Sequence, residues 1–196
     1  MNPTPVVLYG EHVRLEPLDH RHAPALLEEA QSDEIWRYMP VPRPATRERM
    51  IDLIDKAWKA ASLGMEIPFT VVKQPEDRVV GSTRFIEIRR LDRALEIGWT
   101  WLGLSWQRTV VNTECKFLLL RHAFEELGAR RLQLKTDGRN EQAQRAIERI
   151  GAVKEGVLRQ QRQMWDGFVR DTVYYSILAD EWPVVKERLE GLLGRR

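Results

Sequence analysis

The sequence predicts an α/β fold: a mixed sheet of α+β type flanked by helices. Three observations predict it. Segments with apolar residues at every second position are interleaved with segments of helical spacing. An apolar strand, a short turn and a long apolar helix follow one another across residues 94–127. Late in the chain, Asp166-Gly167 joins two long strand-like runs, a strong hairpin signal. A chain of 196 residues suits one domain, taken as 1–196, with a core that needs no staples.

Each element follows in order. Residues 6–18 read as an edge strand, Val13 and Leu15 alternating with Arg14 and Glu16, after a loosely ordered 1–10. Asp19 starts a helix striped by Ala23, Leu26, Leu27 and Ala30. Pro40, Pro42 and Pro44 make residues 35–44 irregular and leave Trp36, Tyr38 and Met39 to be placed. Thr46 opens a second helix, through Met50, Leu53, Ile54, Ala57 and Trp58, that stops at Gly64. Strands are predicted at 67–73 and 79–88, with a turn between them. A third strand, 94–104, puts Leu95, Ile97, Trp99 and Trp101 on one face and Glu96 on the other. Residues 112–127 form the strongest helix, with Asn112 as cap and Thr109 or Thr113 as rivals for that role. A short strand, 132–136, leads to a helix at 140–150 that Gly151 closes. Strands 153–164 and 168–178 and a helix from Asp180 to Gly194 complete the order β-α-α-β-β-β-α-β-α-β-β-α.

Composition excludes several classes. A formal charge of +2 with interleaved signs gives no nucleic-acid or membrane-surface footprint. The Arg159-Gln160-Gln161-Arg162 run, on a strand, divides between two faces. No apolar run approaches the ~20 residues that span a bilayer, and residues 1–10 lack the pattern of a signal peptide. One cysteine, Cys115, gives no disulfide framework, which points to a cytoplasmic protein. The four histidines show no metal spacing, so no metal is expected.

The turn at 107–112 carries the first chemical signal. The first N–H groups of a helix lack internal partners and sit at the positive end of its dipole, a ready anion site. Gln107, Arg108, Thr109, Val110, Val111, Asn112 and Thr113 make up that junction, and Arg108 adds a cation. The plain alternative is an ordinary capped helix. A second strand–turn–helix unit runs through Asp137-Gly138-Arg139-Asn140, where Asn140 caps its own helix or offers its amide to a ligand. Ala143, Ala146, Ile147 and Ile150 are expected to face inward there, with Arg145 and Arg149 outward.

Together these phrases resemble the GNAT superfamily of N-acetyltransferases, and within it the branch of RimJ/RimL ribosomal-protein N-terminal acetyltransferases. The resemblance spans nearly the whole chain. It rests on Gly81-Ser82-Thr83-Arg84-Phe85, Glu96-Ile97-Gly98-Trp99, Asn112-Thr113-Glu114, Leu119-Leu120-Arg121-His122-Ala123-Phe124 and Thr136-Asp137-Gly138-Arg139-Asn140. It implies a seven-stranded mixed sheet, splayed near its centre, with acetyl-CoA in the gap. The pantetheine would pair with the strand carrying Trp99, Thr100, Trp101 and Leu102, the pyrophosphate would lie on residues 107–112, and Asn140 would approach from the other side. The acceptor amine, a protein N-terminus or a small molecule, would enter past the early helices and the late hairpin. Members of this branch often form homodimers.

The sequence departs from the family pattern in two places, the turn and the 140–150 helix. Its turn reads Q/R-x-x-G-x-G/A; Gln107 matches, but Val110 holds the first glycine position and Asn112 the second small one. A β-branched residue tolerates a left-handed backbone poorly, so either the turn is reshaped or the coenzyme binds less tightly. In several relatives a hydroxyl residue three positions after the motif asparagine protonates the departing thiolate; here it is Ala143.

Glu96 is the candidate general base. Its alternatives are a solvated strand carboxylate or an ion pair with Arg84 or Arg89; Glu87 is a second candidate. Cys115, near the start of a helix, is a candidate thiolate or a small core residue. Trp36, Tyr38, Met39 and Trp58 either line the acceptor pocket or pack in the core. A catalytically degenerate acyl-CoA-binding or regulatory module is the alternative to an N-acyltransferase.

Overall fold

The computed structural model describes residues 1–194; Arg195 and Arg196, the last two of the expected domain, lie outside them. The strands are β1 (Leu8–Tyr9), β2 (Val13–Pro17), β3 (Ile67–Lys73), β4 (Arg78–Arg89), β5 (Ala94–Leu102), β6 (Arg131–Asp137), β7 (Val153–Gln163) and β8 (Val169–Leu178). They form one sheet in the order β1-β2-β3-β4-β5-β6-β8-β7. Every neighbouring pair is antiparallel except β5 and β6. The helices are α1 (Ala23–Glu29), α2 (Asp33–Trp36), α3 (Arg47–Ser62), α4 (Val110–Arg121), α5 (Glu141–Arg149) and α6 (Trp182–Leu192).

The expected seven strands are eight, because the first predicted strand is two. The backbone N–H groups of Glu11, His12 and Val13 all donate to the carboxylate of Glu114, at 3.0, 2.6 and 2.7 Å. Successive amides aimed at one anion curl the chain. Leu8 and Tyr9 then pair back on Leu15 and Arg14. The N-terminus expected to be loose is therefore engaged: Leu8 is buried, and Met1 and Val6 pack against the core.

Helix starts follow their caps. The predicted helix at Asp19 begins as a 3-10 turn, His20–His22, with a capping box between Asp19 and His22. At the start of the segment expected to be irregular, the single turn of α2, capped by Ser32, runs on to Trp36, whose indole donates to the Ala30 carbonyl at 3.0 Å. Thr109, not Asn112, caps α4, which starts two residues earlier than predicted and continues as a π-helical turn, His122–Glu126.

Both faces of the sheet are covered. Phe69 and Val71 sit in the larger core with Phe117, Leu120 and Leu189 of α4 and α6. Thr70, between them, points the other way and bonds the His22 ring at 2.8 Å. The smaller core on that side collects Leu26, Trp36, Met50 and Ile54 with Trp101.

Candidate active site

The parallel partners β5 and β6 stay together only briefly. Ala94, Leu95 and Glu96 pair with Arg131, Leu132 and Gln133, and pairing stops there. β5 runs on to Leu102 and β6 to Asp137 without touching as a ladder. The gap between them is a cleft of about 1330 Å³. Its walls are the parted strands, the start of α4, one side of α5 and the Tyr38–Pro40 segment.

A bulge shapes the β5 wall. Gly98 pairs with Arg84 and Trp101 with Ser82, so Trp99 and Thr100 oppose the single residue Thr83. Trp99 takes φ of 52°, a left-handed conformation unusual for a bulky residue. The bulge reverses the alternation. Leu95 and Ile97 lie in the larger core, but Trp101 lies in the smaller one, its ring 5.2 Å from that of Trp36. The expected common face of Leu95, Ile97, Trp99 and Trp101 is thus broken at Trp99. The Arg84 guanidinium stacks 4.4 Å over the Trp99 ring. The extra residue leaves backbone groups outside the β4 ladder, beside the cleft.

Glu96 sits where the strands part, with 1% of its surface exposed. Gln133 Nε2 donates to its Oε2 at 2.7 Å, and Lys135 Nζ lies 3.1 Å from the same oxygen. Neither expected arginine partner is used: Arg84 pairs with Glu66 at 2.9 Å and Arg89 reaches Asp92. Burial raises the Glu96 carboxyl above the ordinary carboxylate range, while Lys135 and Gln133 pull it down. Gly98 keeps the neighbouring space open. A Cβ there would stand 2.6 Å from Ile86 Cδ1 and 3.2 Å from Glu96 Oε1. The second candidate base, Glu87, is exposed.

At the other end of the parted β5 lies the start of α4. Thr109 Oγ1 accepts from the Val111 N–H at 3.3 Å and donates to the Trp106 carbonyl at 2.7 Å. The amides of Val110 and Asn112, before the first intrahelical bond from Thr113 to the Thr109 carbonyl, have no partner four places back in the helix. Such a terminus can hold an anion. The left-handed position of the turn is Arg108, with φ of 57°, and not Val110. Val110 is the first helical residue and packs partly on the larger core, so the backbone argument against valine does not apply. Gln107 ties the turn to both walls, donating to the Leu102 carbonyl at 3.1 Å and accepting from Gln142 at 3.4 Å. Asn140 Oδ1 accepts from the Ala143 N–H at 3.0 Å and caps α5, and the residue also lines the cleft.

The cleft thus brings together Glu96, Trp99, Thr100, Trp101, Leu102, Gln107, Arg108, Thr109, Val110, Asn112, Thr113 and Asn140. Val111 instead turns its side chain into the core. Tyr38 and Met39 line the cleft as well, whereas Trp36 is core and the exposed Trp58 donates to the Leu18 carbonyl. Cys115 is fully in the core, and burial pushes its thiol up to about 12, which leaves no reactive thiolate. Arg149 is exposed, as expected, and also donates to Thr113 Oγ1 at 2.7 Å.

Sequence reasoning missed Lys116, Lys135 and Arg170, all on the cleft walls. Lys116 is buried and donates to Thr100 Oγ1 at 2.8 Å; burial lowers its ammonium to about 8. The available signal was a lysine set between Cys115 and Phe117 in an otherwise apolar stretch of helix.

The chain matches the acetyltransferase (GNAT) domain model over residues 12–153. It is 27% identical to "Putative ribosomal N-acetyltransferase YdaF" of Bacillus subtilis, over 88% of this chain and 94% of that protein. Among solved structures it resembles a "putative acetyltransferase" from T. thermophilus, at 40% identity and a TM-score of 0.90, over 98% of this chain and 100% of that one. It shares the fold of Mycobacterium smegmatis RimJ in complex with CoA-disulfide, with a TM-score of 0.84 and 20% identity over 97% and 96% of the two chains. The chain therefore belongs to the GNAT acetyltransferase family.

Proposed function

We propose that the protein transfers the acetyl group of acetyl-CoA to a primary amine, by direct attack of the amine on the thioester. The observation that carries this reading is the parting of β5 from β6 beside a buried carboxylate, with a helix start at the far end of the same strand. Coenzyme pyrophosphate would rest on the first turn of α4, and the pantetheine would run along Trp99–Leu102 opposite Asn140. The thioester then reaches Gly98 and Glu96.

Glu96 takes the amine proton, directly or through one water, and the nitrogen lone pair attacks the carbonyl carbon. Backbone N–H groups left unpaired by the Trp99 bulge hold the oxyanion. The C–S bond breaks as the carbonyl re-forms. The thiolate takes a proton from water, because Ala143 has none to give. The name of the B. subtilis relative supports a protein acceptor; a small-molecule amine is the other acceptor class.

Thiol release from acetyl-CoA, measured over a panel of peptides and small amines, tests the reading. Amine-dependent release supports it. A raised melting temperature with coenzyme A but no release with any amine would favour a non-catalytic acyl-CoA-binding module instead.

A further inference from the structure

The acceptor end of the cleft carries a buried cation without a carboxylate partner. Arg170 on β8 is 6% exposed, yet it lines the cleft. Its Nε donates to Thr172 Oγ1 at 3.0 Å, and Thr172 donates in turn to Gln161 Oε1 at 2.9 Å. This chain of bonds fixes the plane of the guanidinium and leaves its two terminal nitrogens unused by any hydrogen bond or ion pair among the described residues. Arg162 stands opposite it in the ladder, on the same face of the β7–β8 hairpin, and also lines the cleft.

The nearby carboxylates are committed elsewhere. Asp137 is taken by Arg139, whose Nε and terminal nitrogen donate to its two oxygens at 2.9 and 2.7 Å, with the Arg139 N–H as a third donor. Glu96 is held by Lys135 and Gln133. Glu34 and Glu87 line the cleft from α2 and β4, and Glu66, also on its lining, is paired with Arg84. Burial is the largest cost for Arg170; the Asp137 carboxylate offsets part of it without an ion-pair contact, Arg162 facing the same space adds to it, and the balance leaves Arg170 below the ordinary arginine value. An anion from outside would relieve both costs. A guanidinium with two free parallel N–H donors matches the two oxygens of a carboxylate.

On the acetyl-transfer reading above, we infer that Arg170 and Arg162 form a carboxylate subsite, and that the preferred acceptor is an amine carrying a carboxylate close to the reacting nitrogen. The carboxylate can be an acidic side chain near a peptide N-terminus or the α-carboxylate of a free amino acid.

Matched acceptors test this. Peptide amides with a free N-terminus and Asp or Asn at the second, third or fourth position form one arm, and alanine against alaninamide forms the other. Thiol release gives kcat/KM for each, and calorimetry gives Kd for each. The subsite predicts that the carboxylate member of at least one pair is favoured by about tenfold or more, the scale of one charge-assisted bidentate contact. The arm that shows the preference identifies the source. Arg170→Gln should bring that ratio close to one, and the more exposed Arg162→Gln should reduce it, which guards against a misfolded inner variant. Equal values within every pair, no binding of any member, or a ratio unchanged in both variants would overturn the subsite. A preference in Kd without thiol release would support the subsite and overturn the transfer reading alone.

Discussion

At the scale of single residues the proposed chemistry rests on Glu96. Its carboxyl is raised by burial and lowered by Lys135, so the two influences set where it titrates. Glu96→Gln should cut turnover by roughly 10²–10⁴-fold while coenzyme affinity changes little, as read from steady-state rates and calorimetry. A base must be ionised, so kcat/KM should fall as pH drops through the raised Glu96 value. Lys135→Met removes the charge that holds that value down, and the acid limb of the pH profile should move to higher pH. An unmoved limb would assign it to another group. Lys116 makes a separate statement about stability. Its folded value of about 8 lies below the ordinary lysine value of 10.5, so its charge is a cost to the fold. That cost is fully present below pH 8 and is relieved as pH rises through 10.5. Cys115, raised to about 12, acts in the opposite sense at alkaline pH, so the variant must be compared with wild type. Lys116→Met, relative to wild type, should be more stabilising at pH 7 than at about pH 10.5, by about 3 kcal/mol in urea unfolding.

Single elements show why some of the structure was legible in the sequence and some was not. Periodicity located the core strands and helices because their burial is local and repetitive. The β1–β2 turn has no such signature: the group that folds it, Glu114, lies about a hundred residues away. Glu114→Ala should leave three amide donors without their acceptor and cost roughly 3 kcal/mol or more. A denaturant midpoint equal to wild type would deny it that role. The Trp99 bulge was likewise invisible, because the residues on both sides of it alternate correctly and only the ladder with β4 shows the extra residue. The turn at 107–112 was legible as a helix start, but the competition between Thr109 and Asn112 was settled by geometry alone. Since Val110 is helical, Val110→Gly should not tighten coenzyme binding. It should instead lower stability slightly, because a more flexible glycine replaces a side chain that packs partly on the larger core.

At the scale of the whole molecule, the eight strands form one sheet in which β5 and β6 part beyond Glu96 and Gln133. Antiparallel pairing on both flanks fixes β5 and β6 firmly at Glu96 and Gln133, and their divergence beyond that point makes the cleft. The candidate site drew on segments the sequence had already set apart, the strand with Glu96, the α4 start and the α5 cap. It also drew on Lys135 and Arg170, whose charges look ordinary until the sheet places them on the cleft walls. The most direct test is a crystal structure with coenzyme A bound. The account predicts pyrophosphate oxygens on the amides of Val110 and Asn112, pantetheine along Trp99–Leu102 and sulfur beside Gly98 and Glu96. Coenzyme lying outside the β5–β6 gap, or entering it with its sulfur far from Glu96, would contradict it.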